Sequence, residues 1–232
     1  EHFSAAAAEI HATAWHTRTN WFIAALRDLA ATNQPLSKRL EQIPAEIDLS
    51  LSDAKAGVVD ADELLIRTRW RWPITRLAVE GKIEEGGVHG TATFNTTNRH
   101  AELTASSDVD PHRISPLLTE RARNWLTNYQ WQAAPKAQAN ARLTLPLTTN
   151  RLNWVTDILP ALFAEGSFEL GPCRHRGIAM DSAKSKFWFS NSVLCLPNLE
   201  LRRGEGSARG TYTSSQATRD FHWRISSRMD PK

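Results

Sequence analysis

Few residues in this sequence suit chemistry, and they are scattered. Cys173, Arg174, His175 and Arg176 set a thiol beside an imidazole and two guanidinium groups, a setting that lowers a thiol's pKa and makes it reactive. No second ligand set and no acid partner accompanies them, so they read as an incidental cluster in a turn. Asp108 and Asp110 stand two apart with His112 close by, a spacing that suits a divalent cation or acid–base work. His11 and His16, five apart on an expected strand, point to opposite faces and do not share a metal ion. The run RTRWRW, Arg67 to Trp72, interleaves cations with aromatic rings in the manner of a platform for stacked bases. On a strand its two residue types separate, leaving an Arg67, Arg69, Arg71 ladder behind a floor of Trp70 and Trp72. The chain has no GxSxG, no Walker loop, no dinucleotide-binding glycine pattern and no CxxC. The expectation is a protein that is not an enzyme, with no cofactor and no metal.

The elements that carry these residues are mostly strands. From 45 to 108 the chain alternates between apolar and polar side chains, broken by Gly, Asn, Asp and Pro, which predicts five half-buried strands in a meander. Ile47, Leu49 and Leu51 alternate with Glu46, Asp48 and Ser50, and Leu64, Ile66, Trp70 and Trp72 alternate with Glu63, Arg67, Arg69 and Arg71. Short turns such as the AsnThrThrAsn at 95–98 make neighbouring strands antiparallel. Helices are expected within 20–43, after an Asn20 cap and again after Pro35; over 112–129, capped by Asp110 or Ser115; and over 150–164, with Pro160 as a kink. A second meander is expected from 166 to 228.

The end of the chain restates its middle. Moved back by 120 positions, Gly210, Thr211, Thr213 and Arg219 fall on Gly90, Thr91, Thr93 and Arg99, and Ser226, Ser227, Asp230 and Pro231 fall on Ser106, Ser107, Asp110 and Pro111. Phe221, Trp223 and Ile225 fall on Ala101, Leu103 and Ala105, so the apolar parity agrees as well. Further upstream, LTLPLTTN ending at Asn150 resembles TAWHTRTN ending at Asn20, an offset of 130. This divides the chain into a first unit, 1–110, a connecting helix and linker, 111–135, and a second unit, 136–232, each unit opening on a strand.

Composition sets the class. Of 232 residues, 41% are hydrophobic and 23% charged, as in a folded soluble domain rather than a disordered chain. The formal net charge of +3 comes with dispersed arginines, so no nucleic-acid partner is expected. No apolar run reaches the roughly 20 residues that span a bilayer, and the chain starts at Glu1 with no signal-peptide pattern, as a piece of a longer protein would. Cys173 and Cys195 fall on strands read as neighbours, which leaves both a disulfide and two free thiols open.

About a dozen strands with one apolar face each must cover those faces with something. One arrangement is a β-sandwich of two stacked meanders; the other is a curved, open β-groove whose apolar face is finished by a ligand or by further units. The order of GxxxGTxx strands, a serine-rich strand leading to Asp-Pro, a helix and then WQAAP before the next strand resembles the AsmA-like envelope-biogenesis family. That family sits within the bridge-like lipid transfer group, alongside TamB-type proteins, and the resemblance runs from about residue 5 to the end. It implies two tandem antiparallel meander repeats forming a groove for phospholipid or another amphiphile, placed in the periplasm or cell envelope of a Gram-negative-type bacterium. Any membrane anchor would lie outside this segment. The implied partners are lipid acyl chains, flanking repeats of the same chain, and inner- and outer-membrane proteins.

The groove candidates are Ile47, Leu49, Leu64, Ile66, Leu77, Val79, Phe94 and Leu103 in the first unit. In the second they are Phe168, Leu170, Phe187, Phe189, Leu199, Leu201, Phe221, Trp223 and Ile225. Arg67, Arg69 and Arg71 are candidates for headgroup contact, or simply solubilise an outer wall. The reading from another class is a structural or protein-binding β-sandwich module without a lipid ligand.

Overall fold

The fold is described from a computed structural model, over residues 3–14, 45–56, 59–83, 85–118, 120–146, 154–218 and 220–228. The expected helices within 20–43 lie outside the described residues, as does His16.

The protein is mainly β. Its large sheet has twelve strands: β1 (Phe3–Ala14), β2 (Ala45–Ala56), β3 (Val59–Arg71), β4 (Ile74–Ile83), β5 (Gly86–Asn95), β6 (His100–Ser107), β8 (Lys136–Thr144), β9 (Leu162–Leu170), β12 (Ser182–Ser190), β13 (Val193–Arg203), β14 (Gly206–Ser215) and β15 (Phe221–Ser227). They lie side by side in that order, every pair is antiparallel, and the sheet does not close on itself. A second sheet of three short strands, β7 (Tyr129–Trp131), β10 (Cys173–His175) and β11 (Ile178–Met180), runs in the order β11-β10-β7.

Turn chemistry explains the meander. Between β5 and β6 the Asn95 Oδ1 accepts the Thr97 amide at 3.0 Å, and Asn98 Oδ1 accepts the His100 amide at 3.0 Å. Such side chains stand in for the backbone partner that a reversing chain loses. The two predicted meanders are not stacked: β6 pairs with β8, and β8 with β9, so the halves join edge to edge in one layer. The core is correspondingly thin. Among the described residues the buried apolar side chains are few, Leu51, Val109, Leu126, Ile158, Cys173, Ala183, Leu199 and Ala208, and no large side chain is fully buried.

Two expected helices are corrected. In 112–129 the chain makes a 3₁₀ turn, Ser115–Leu117, and one short helix, α1 (Glu120–Leu126). Thr127 Oγ1 and Asn128 Nδ2 donate to the carbonyls at Asn124 and Trp125 and end it, and Tyr129 already belongs to β7. The helix expected over 150–164 is a single π turn, Trp154–Ile158. Pro160 has no amide to continue it, and from Leu162 the chain is claimed by β8, with Leu162 opposite Leu143. The cysteines are not on neighbouring strands either: Cys173 sits in the small sheet and Cys195 in β13, and both are free.

β13 carries one irregularity. Leu196 pairs with Tyr212 and Leu199 with Gly210, so one extra residue is accommodated at Pro197–Asn198. It is a bulge, where a proline's missing amide costs no ladder bond. Asn198 Oδ1 compensates locally by accepting the Lys186 amide at 2.9 Å.

Candidate functional site: one apolar face across the sheet

Residues directly opposite in an antiparallel pair point to the same face. Following the register across the sheet therefore sorts every side chain. Leu49 faces Ile66, Ile66 faces Val79, Val79 faces Gly90 and Gly90 faces Ala105. Ala105 faces Ala139, Ala139 faces Gly166 and Gly166 faces Phe187. Leu199 faces Gly210, which faces Ile225. Ile47 and Leu64 belong to the same side through Thr68 and Leu51, Leu77 through Ala92, and Phe94 and Leu103 through Ala101 and Ala141. Phe168 and Leu170 lie opposite Ser185 and Ala183, Phe189 opposite Ala164, Leu201 opposite Ala208, Trp223 opposite Tyr212 and Phe221 opposite Ser214. All seventeen apolar candidates thus share one face. The β13 bulge adds Leu194 and Leu196 to the same face, although they differ in sequence parity from Leu199 and Leu201 beyond it.

Sequence reasoning missed the middle of this face. Ala137, Ala139, Ala141 and Leu143 on β8, and Leu162 and Ala164 on β9, complete it. The signal was present as the period-2 run AlaGlnAlaAsnAlaArgLeu at 137–143. Along one row across the middle, Gly90, Ala105, Ala139 and Gly166, the face offers only small side chains between Val79 and Phe187. Much of it is open: Ile47 is 44% exposed, Leu103 46% and Trp223 51%.

The small sheet is tied to this end of the fold through Asp110. Its Oδ1 accepts the Trp131 indole N–H at 2.8 Å and the His112 amide at 2.9 Å, and meets His112 Nδ1 at 3.2 Å. Burial pushes this carboxyl up, but the bonds from the His112 amide, the Trp131 indole and the His112 ring, with the His112 charge, outweigh it and hold the pKa below the ordinary value. Trp131 packs against His112 with ring centroids 4.4 Å apart, and Tyr129 against His175 at 4.5 Å, both pairs tilted. Burial raises the Tyr129 pKa, with Tyr212 of the large sheet adding to the rise.

Among the described residues the candidates for chemistry lie apart from one another. Burial pushes the Cys173 thiol up, the reverse of what its two arginines and histidine suggested. Burial, then Arg176, lowers the pKa of His175. Asp108 Oδ1 accepts the Gly87 amide at 2.6 Å while Asp110 turns to Trp131, so the two carboxylates diverge. Among the described residues no group of three or more His, Cys, Asp or Glu converges on a metal position, and no helix is long and apolar enough to cross a membrane.

The other face is charged and self-paired. Lys136, Glu169, Lys184, Glu200 and Arg209 form one row across five strands with alternating sign. Glu200 holds Lys184 at 3.5 Å and Arg209 at 3.4 Å. Arg67, Arg69 and Arg71 are on this face, pointing away from the apolar floor, and Arg69 Nε is bonded to Glu46 at 2.7 Å. A shallow depression of about 500 Å³ on this side is lined by His89, Ser106, Gln138 and Ser167 among others. Exposed pairs of this kind contribute about 0–1 kcal/mol each, so the row favours solvation and strand register more than stability.

Comparison with family models, with curated proteins and with solved structures gave no match.

Proposed function

We propose that the apolar face is a binding surface for lipid acyl chains, in a groove built from two tandem repeats of the AsmA-like kind that serves lipid transport in a bacterial cell envelope. One observation carries this reading: a continuous apolar floor crosses the sheet from β2 to β15, exposed at Ile47, Leu103, Phe221, Trp223 and Ile225 and half-buried over most of the rest. Ten strand spacings of about 4.8 Å from β2 to β15 make it about 50 Å wide, longer than one acyl chain. Each CH₂ that leaves water on such a surface contributes about 0.8 kcal/mol, and a floor of similar residues favours no single position, so a chain can slide without any bond being broken.

Register supports the repeat. Val79 pairs with Gly90 and Gly90 with Ala105; Leu199 pairs with Gly210 and Gly210 with Ile225, each residue 120 later. Before the β13 bulge the offset is 119: Leu49 pairs with Ile66, and Phe168 with Ser185. The bulge is therefore the one inserted residue of the second copy. Bonds outside the strands repeat as well, Asp108 N to Gly87 O at 3.1 Å and Arg228 N to Ser207 O at 2.8 Å. For the opening strands the corresponding offset is 127, since Ile10 pairs with Leu49 and Ala137 with Phe168, rather than the 130 suggested by sequence.

The single layer and thin core support a groove over a two-layer, protein-binding module. Arg67 and Arg69 fit the role of a solvated outer wall, and headgroups fall to the strand ends. Organic extraction of the purified protein followed by mass spectrometry tests the reading. Phospholipid or another amphiphile at a reproducible ratio is expected; a protein free of amphiphile, which also takes none from mixed vesicles, counts against it.

A further inference from the structure

Three buried side-chain atoms at one end of the apolar face have no hydrogen-bond partner: Thr75 Oγ1 and the Nε and Nη1 of Arg99. Thr75 belongs to the outermost row of that face at this end of the ladder. It lies opposite Trp70 and Phe94, and the row continues through Ala101, Leu143 and Leu162. Arg99 lies in the β5–β6 turn, two residues before Ala101. Its carbonyl accepts the Leu145 amide at 3.0 Å, which carries the β6–β8 register one pair past His100 and Thr144. Thr75 and Arg99 are therefore at the same strand end, with β5 between β4 and β6.

Nothing within the chain satisfies this arginine. A guanidinium keeps its charge, and a buried charge without a partner is costly. Glu102, three residues on, meets His100 Nε2 at 3.5 Å instead. Both Thr75 and Arg99 are half-buried rather than sealed, so a ligand lying on the floor reaches them. The backbones that carry them are two strand spacings, about 10 Å, apart, so a lone carboxylate is too small to serve both. A glycerophosphate group, with phosphate and ester oxygens several bonds apart, is large enough, and planar guanidinium donors suit phosphate oxygens.

We propose that Arg99 and Thr75 form a headgroup site at the end of the apolar floor, Arg99 holding the phosphate of a phospholipid and Thr75 Oγ1 donating to one of its ester oxygens, with the acyl chains laid over Phe94, Ala101 and Leu143. The assignment rests on the acyl-chain reading and adds the chemical class of the headgroup. It places that contact away from Arg67, Arg69 and Arg71, which are on the opposite face.

The test uses the full chain with Arg219→Gln throughout, since Arg219 falls on Arg99 in the repeat. The protein is loaded from phosphatidylglycerol vesicles or from dispersed diacylglycerol with the same chains, repurified, and its bound lipid measured by mass spectrometry. Arg99→Gln is expected to lower bound phosphatidylglycerol about tenfold and to leave diacylglycerol unchanged. Its melting temperature is expected to be no lower than the parent's, because the replaced charge has no partner to lose. Thr75→Val is expected to lower phosphatidylglycerol less steeply, again without changing diacylglycerol, and carries the test if Arg99→Gln does not fold. Inorganic phosphate is expected not to displace the phospholipid; a site that it fills equally well is one for a free anion and overturns the assignment. Undiminished phosphatidylglycerol in both variants, or equal loss of the two lipids, also overturns it and leaves the acyl-chain reading standing. A parent chain that takes up neither lipid removes both readings.

Discussion

Asp110 joins three parts of the chain through one carboxylate: the turn after β6, the His112 ring and the Trp131 indole of the small sheet. Its native pKa lies below that of the unfolded chain, so it stabilises the fold above an unfolded value of about 3.9 and loses that contribution as pH falls through the native value. Asp110→Asn is expected to cost about 1–2 kcal/mol at neutral pH and to flatten the acid limb of the stability profile, read by urea titration from pH 7 to pH 3. Glycine matters for a different reason at Gly86, Gly166 and Gly210, where a Cβ would meet neighbouring backbone. A Cβ at Gly210 would run into the Arg224 carbonyl oxygen and lie 2.9 Å from Ile225 Cα, and one at Gly166 would run into the Gln138 carbonyl oxygen and lie 2.9 Å from Ala139 Cα. At Gly90, 120 residues before Gly210, the nearest such oxygen, that of Thr104, stays 3.5 Å away. Gly210→Ala and Gly166→Ala are each expected to destabilise by about 1–3 kcal/mol, and Gly90→Ala to stay within about 1 kcal/mol of the parent, compared by denaturant midpoint.

At the scale of elements, β13 shows how a strand keeps one face apolar despite a break in its alternation. Leu194 and Leu196 share a face with Leu199 and Leu201 only because Pro197 and Asn198 take up an extra residue. Removing Asn198 restores plain alternation, as in β4, where Leu77, Val79 and Gly81 follow one another without a bulge. The deletion is expected to fold, at a cost of about 1 kcal/mol for the proline left in the ladder. Deleting Ala78 from β4 has the opposite result, because a one-residue slip sends Leu77 or Val79 to the charged face; loss of the folded circular-dichroism spectrum is the expected reading. Strand faces over 45–108 were legible from residue alternation, but Trp72, read on a strand beside Trp70, lies in the turn after β3. The three-residue strands β7, β10 and β11 were not, because so short a run carries no period and is held by Gln132 N to Pro172 O and Arg176 N to Asn128 O.

The twelve-stranded sheet is one broad layer, and this separates two kinds of apolar residue. Leu199 is 7% exposed, whereas Leu103 and Trp223 are about half exposed on the same face. In a two-layer core all three would be costly to charge. In this sheet Leu103→Asp and Trp223→Asp are expected to change stability by about 1 kcal/mol or less, and Leu199→Asp to cost about 3–5 kcal/mol. Thermal melts of the three variants check the difference, and the first two should also retain less extracted amphiphile.

Side-chain alternation has a period of two, and turn residues act over three or four positions, so the two faces, the antiparallel neighbours and the mainly β class were written locally in the chain. The seventeen apolar positions could be placed on one side for that reason. Which surface each meander turns toward the other is not local. Stacking and edge-to-edge pairing both use strands with one apolar side, and the backbone edge that joins β6 to β8 and β8 to β9 is the same for every sequence. Only the tertiary structure decided for one continuous layer. It also made a strand of the stretch from Leu162 and separated Cys173 from Cys195, because the partners that fix these features lie far away along the chain.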